Sequence, residues 1–86
     1  MQPYLTDLVL AGNPLGRRGA RHISLLVQRA ASLIAVDVSG CAIRNSGMTY
    51  LVFATCKRSI LMRRIDARNN ELDMLFCRRL SYKVME

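Results

Sequence analysis

Few of the residues that catalysis or secretion depends on occur in this chain. There is one histidine, His22, and no tryptophan among the 86 residues. A single imidazole leaves no nucleophile–base–acid constellation, and a lone histidine near a helix start reads as a surface or capping residue. Glycine is sparse and falls into neither G-x-x-x-x-G-K-[ST] nor G-x-G-x-x-G, so no phosphate loop is present. The three cysteines, Cys41, Cys56 and Cys77, are far apart with no C-x-x-C pair. That spacing supports neither a disulfide framework nor a zinc site and reads as reduced thiols. Apolar runs last a few residues, against the roughly 20 that a spanning helix requires. Met1-Gln2-Pro3-Tyr4 has no basic segment leading into an apolar one, so no secretory signal is expected. The reading is an intracellular, cytoplasmic chain. A mitochondrial matrix or other organelle is the alternative, because Arg17, Arg18 and Arg21 sit in an acid-poor segment. No cofactor, metal, small-molecule substrate or membrane span is implied.

What is there is aliphatic and basic. Half of the residues are apolar, enough for one small domain with a modest core. Thirteen Lys and Arg against six Asp and Glu give a formal charge of +7. Such an excess suits RNA, an acidic protein partner or an anionic surface, and also an ordinary solvated exterior.

The aliphatics recur in columns. Leu5, Leu8, Leu10, Asn13 and Leu15 are matched by Leu33, Val36, Val38, Cys41 and Ile43, then by Met62, Ile65, Ala67, Asn70 and Leu72. Asn13 to Cys41 is a step of 28 residues, and Cys41 to Asn70 a step of 29. Ile23, Leu51 and Leu80 keep the same step, as do Gly19 and Gly47, with Phe76 breaking that last column. Each unit opens as a short half-buried strand, which Gly12-Asn13-Pro14 ends sharply in the first copy. The period then becomes helical: Ala20, Ile23, Leu26 and Val27 share a face from Gly19 to Arg29. A second helix carries Met48, Leu51, Val52, Ala54 and Thr55, with Asn45 or Ser46 as its N-cap and Lys57 and Arg58 in its last turn. A third places Leu72, Phe76, Leu80 and Val84 on one stripe. Gly19 and Gly47 are expected to let the chain turn tightly into its helices. Asn13 and Asn70 are expected to bond the turn backbone of neighbouring units, and Cys41 to do so more weakly as a buried structural thiol.

The pattern L-x-x-L-x-L-x-x-N/C-x-L, with alternating 28- and 29-residue units, resembles the ribonuclease-inhibitor-like subclass of leucine-rich repeats. The resemblance implies an α/β solenoid with three short parallel strands on a concave face and three helices on a convex one. The chain would be a single domain over residues 1–86, in repeats of about 5–32, 33–60 and 61–86, either whole or a piece of a larger solenoid or assembly. Ribonuclease inhibition is not expected, because an acidic inhibitor meets a basic enzyme and this chain is basic. The expected function is a non-enzymatic protein–protein interaction or scaffold module. The alternative is a basic structural subunit of a ribonucleoprotein particle, contacting RNA backbone.

In such an architecture the concave face carries Thr6, Asp7, Val9 and Ala11, then Ile34, Ala35, Asp37 and Ser39, then Arg63, Arg64, Asp66 and Arg68. The expected partner-binding set is Arg63, Arg64 and Arg68 with Asp66 and Asp37, an arginine group suited to carboxylates or phosphates. A second basic set runs along the helical side: Arg17, Arg18, Arg21, Arg29, Lys57, Arg58, Arg78, Arg79 and Lys83. The aromatics, Tyr4, Tyr50, Phe53, Phe76 and Tyr82, are scattered, at least two of them on apolar helical stripes, which argues against a stacking platform. Little precedes the first strand, so its edge and leucine row are expected to be covered by another protein.

Overall fold

Leu8, Val36 and Ile65 are the middle residues of three strands of three residues each: β1 (Asp7–Val9), β2 (Ala35–Asp37) and β3 (Arg64–Asp66). In the computed structural model they pair in parallel, Leu8 with Val36 and Val36 with Ile65. Residues 5–58 and 62–73 are described, together with the backbone of 84–85. Helix α1 (Gly16–Arg29) carries the chain from β1 to β2, and α2 (Arg44–Cys56) from β2 to β3. The result is an α/β arrangement with an open, all-parallel sheet. Strand partners lie 28 residues apart between β1 and β2 (Asp7 to Ala35) and 29 between β2 and β3 (Ala35 to Arg64), so the sequence period is the structural period.

A fourth strand corrects the expectation of three. β4 (Val84–Met85) pairs in parallel with β3, Val84 opposite Ile65, giving the order β1-β2-β3-β4. Val84, expected at the end of a helical stripe, therefore contributes a strand. Pairing gives the outer backbone groups of β3 partners that they would otherwise lack, and the connection is long enough for the dozen or so residues a parallel crossover needs. The third helix expected over Leu72, Phe76 and Leu80 lies mostly outside the described residues, as do Leu61, Cys77 and the basic residues 78, 79 and 83. Among the described residues no helix is long and apolar enough to cross a membrane.

The core is centred on the second unit. Leu33, Val36, Val38, Cys41 and Ile43 are each at most 2% exposed, and they meet Ala20 and Val27 from α1 and Met48, Leu51 and Ala54 from α2. Met62, Ile65 and Ala67 close the far side, whereas Leu5, Leu8, Leu10 and Leu15 are only partly buried against this cluster. The strand columns thus grade from half-exposed to fully buried along the stack.

Between strand and helix the backbone repeats as faithfully as the side chains. Gly12, Gly40 and Asn69 form one left-handed column (φ +79°, +61° and +60°), and Gly16 and Arg44 another (+64° and +62°). Ala42 and Glu71 share a third, at +55° and +56°, where the first unit has Pro14, whose ring forbids positive φ. The tight turns are therefore made at Gly12, Gly16 and Gly40, not at Gly19 and Gly47. Those two lie inside the helices and are small for packing: a Cβ on Gly19 would sit 2.6 Å from Leu15 Cβ, and one on Gly47 would collide with Ile43 and lie 3.0 Å from Ala20 Cβ.

The helix starts also differ from expectation. α1 begins at Gly16, three residues before the expected Gly19, and α2 begins at Arg44 with Ile43 in the cap position and no side-chain cap. Asn45 lies in the first turn and its Oδ1 accepts from the Asp73 N–H at 2.9 Å, tying the second unit to the third. α2 ends at Cys56, so Lys57 and Arg58 fall just beyond its last turn.

Candidate partner surface on the strand face and the open edge

Alternation along a strand puts the residues flanking each buried middle position on the opposite face of the sheet. Asp7, Ala35 and Arg64 form one rung there, and Val9, Asp37 and Asp66 the next. Val9 is 69% exposed at the edge, while Ala35 and Asp66 are buried.

Asp37 and Asp66 stand directly opposite each other, a repulsive arrangement for like charges. Each has its own local partners. The Ser39 backbone N–H and hydroxyl donate to Asp37 Oδ1 at 3.0 and 2.7 Å. Arg68 donates through Nε to Asp66 Oδ1 at 3.0 Å and through Nη2 to Oδ2 at 2.7 Å, and its backbone N–H adds a third bond at 3.2 Å. This two-pronged bond from Arg68 is the main reason the Asp66 carboxyl is held below the usual carboxylate range, with burial opposing it. The same pairing raises the pKa of Arg68.

The five expected residues are thus brought to one region but not to one role. Asp66 is enclosed and committed to Arg68, and Asp37 is half-buried and bonded by Ser39. Arg63 and Arg64 are exposed, and their backbone N–H groups anchor the loop on Ile34 O at 2.7 and 3.1 Å. Among the described residues their side chains have no hydrogen bond or ion pair. What remains for a ligand is the exposed side chains of Arg63 and Arg64 and the part-exposed Arg68, near one carboxylate paired with Arg68 and one hydrogen-bonded by Ser39.

The second feature is the edge at β1. Asn70 shows what an interior unit looks like: it is 0% exposed. Its Oδ1 accepts from the N–H groups of Cys41 (2.9 Å) and Ile43 (3.1 Å), and its Nδ2 donates to the carbonyls of Val38 (2.8 Å), Ala67 (3.0 Å) and Arg68 (3.3 Å). Cys41 does the weaker version, its thiol donating to Leu10 O at 3.1 Å, and burial raises its pKa. Asn13 repeats only the local part of the pattern. Its Nδ2 donates to Leu10 O at 2.9 Å, as Asn70 does to Ala67, but the residue is exposed and no earlier unit supplies N–H groups to its Oδ1 among the described residues.

The backbone follows suit. Leu10, Gly12 and Gly16 donate to Asp37, Ser39 and Cys41, just as Val38, Gly40 and Arg44 donate to Asp66, Arg68 and Asn70. The Ala35 N–H returns to Thr6 O. By the same alternation the N–H of Asp7, one unit earlier, points away from β2, to the side where no described strand lies.

Arg58, expected at the end of the second helix and in the basic set of the helical side, has a bonding role between units. It reaches back one unit, its Nη2 donating to the carbonyls of Ala31 (3.2 Å) and Leu33. Its place at the helix end, where cations often meet free carbonyls, signalled a carbonyl contact but not which unit would supply it. Matched against known proteins, the chain corresponds to no protein family, no curated protein and no solved structure.

Proposed function

We propose that this chain is a leucine-rich-repeat module of the ribonuclease-inhibitor-like type, acting without catalysis as a protein–protein interaction or scaffold unit within a larger assembly. The observation that carries the reading is the contrast between Asn70 and Asn13. The same residue, at equivalent turns, is saturated with five hydrogen bonds in the third unit and exposed with one in the first. Beside Asn13 run the half-exposed Leu5, Leu8 and Leu10 and the edge of β1, which among the described residues pairs with no strand but β2. An unpaired strand edge next to an apolar row is a template for association. The partner suited to it presents N–H donors at a unit's spacing and aliphatics opposite the leucine row. The exposed Arg63 and Arg64 then offer a second contact, for carboxylates.

Light scattering on the isolated chain, coupled to size-exclusion chromatography, tests this. Self-association that rises with concentration is expected, because without its partner the edge covers itself. A well-folded, stable monomer at high concentration overturns the reading.

A further inference from the structure

The helical side carries a basic feature that the strand-face reading does not use. Arg17, Arg18 and Arg21 from α1 and Tyr50 from α2 line an open basin of about 200 Å³. That is below the roughly 300–1,000 Å³ of pockets that enclose a drug-sized molecule, so it suits one charged group of a larger ligand. Arg17 Nη2 donates to the Tyr50 hydroxyl at 3.3 Å, and its guanidinium carbon lies 5.8 Å from the Tyr50 ring centroid. The hydrogen bond from Arg17 is the main cause lowering the Tyr50 pKa.

Among the described residues no anion pairs with this cluster. Neither α1 nor α2 contains an Asp or Glu. The ion pairs formed among the described residues, Arg44–Glu71 and Arg68–Asp66, leave the three arginines out. α1 also starts here with no side-chain cap and no acidic first turn, so the positive end of its dipole adds to the field.

Next to Tyr50 lies an exposed aromatic residue outside the apolar set expected for the second helix. Phe53 is 61% exposed, one turn along α2 from Tyr50, and Lys57 Nζ sits 4.9 Å from its ring centroid. Two rings on one helix face, Tyr50 paired with Arg17 and Phe53 with Lys57, adjoin two further arginines, Arg18 and Arg21. Cations for phosphates alternating with rings for bases is the layout of sequence-tolerant single-strand recognition. A phosphopeptide would account for the arginines and leave Phe53 unexplained.

We propose that Arg17, Arg18, Arg21 and Tyr50 form a phosphate-binding basin for single-stranded nucleic acid, with Tyr50 and Phe53 as base-stacking rings. This does not rest on the reading of the strand face or the β1 edge.

Fluorescence anisotropy of a labelled 12-residue oligouridylate, titrated with the full chain between 50 and 200 mM salt, tests it. Binding that weakens steeply with salt is expected. Replacing Arg17, Arg18 and Arg21 with Ala should reduce the log–log salt slope by about 2, at about 0.7 per phosphate contact on a single strand. Replacing the three with Lys should preserve the slope, since charge is retained. Tyr50→Ala and Phe53→Ala should each weaken binding roughly 5-fold or more, whereas Tyr50→Phe keeps the ring and most of the affinity. Circular dichroism confirms that each variant is folded. Three results overturn the proposal: no binding of oligouridylate, an unchanged salt slope in the folded triple Ala variant, or displacement of oligouridylate by a phosphoserine peptide at equal phosphate concentration.

Discussion

Asn70 joins two units through one carboxamide, and every polar atom of that side chain is bonded in a site closed to water. Removing it leaves the Cys41 and Ile43 N–H groups and the Val38 carbonyl without their partner, at about 1–3 kcal/mol for each buried orphan. Asn70→Ala should therefore lower stability by about 3 kcal/mol or more, while Asn13→Ala, at an exposed site with one bond, should cost less than about 1 kcal/mol. Urea unfolding followed by circular dichroism measures both. Equal losses would mean that the two turns are equally packed. Asp66 gives a pH signature at the same scale. Its folded pKa is depressed, so its contribution is present above the unfolded value of about 3.9 and is lost as pH falls through the folded one. The stability gap between the wild type and Arg68→Ala should be open at pH 7 and shrink below about pH 4. A gap independent of pH would remove the ion pair as its cause.

At the scale of elements, the columns of leucine, valine and isoleucine locate β1, β2 and β3 because strand residues with one buried face leave a period that survives substitution. The apolar faces of α1 and α2 were legible for the same reason. The turns were not, because a left-handed backbone leaves a mark in the sequence only where glycine occupies it. Gly16 marks the start of α1, yet Arg44, its counterpart with the same φ, marks nothing. A non-glycine residue in that region costs about 1–2 kcal/mol and persists because surrounding contacts determine it. The fourth strand was illegible because two residues paired to an existing edge carry no period. Gly19 and Gly47 were visible as a column but carried the wrong reason, since close packing and tight turning look alike in sequence. The geometry separates them. Gly47→Ala should destabilise by about 1–3 kcal/mol through overpacking, because its neighbours Ile43 and Ala20 are buried and have no room to shift. Gly19→Ala should cost less, because Leu15 is only partly buried. The difference in urea midpoints checks the order, and the reverse order would contradict this account of the helix contacts.

For the whole molecule, stability is uneven along the stack. The second unit is packed on both sides, the third is joined to it by Asn70 and paired to β4, and the first, among the described residues, has no strand beyond β1. The basic residues follow no such gradient and divide between two surfaces, Arg63 and Arg64 beyond the strand face and the α1 cluster on the helical side. Sequence reasoning found both sets of arginines. It did not show which were already bonded, because the Arg68–Asp66 pair depends on side chains two residues apart curling to the same side. Nor did it place Phe53, which it left out of the apolar face of the second helix without assigning it to solvent.

A closed interior and a β1 edge with no described neighbour differ in amide protection, and native-state hydrogen exchange of the isolated chain reads both at once. Dilute conditions, below any self-association, keep the edge uncovered. The Cys41 and Ile43 amides, which donate to Asn70, should be among the slowest to exchange, and the Asp7 and Val9 amides should exchange orders of magnitude faster. Protection at Asp7 and Val9 equal to that at Cys41 and Ile43 would contradict this difference.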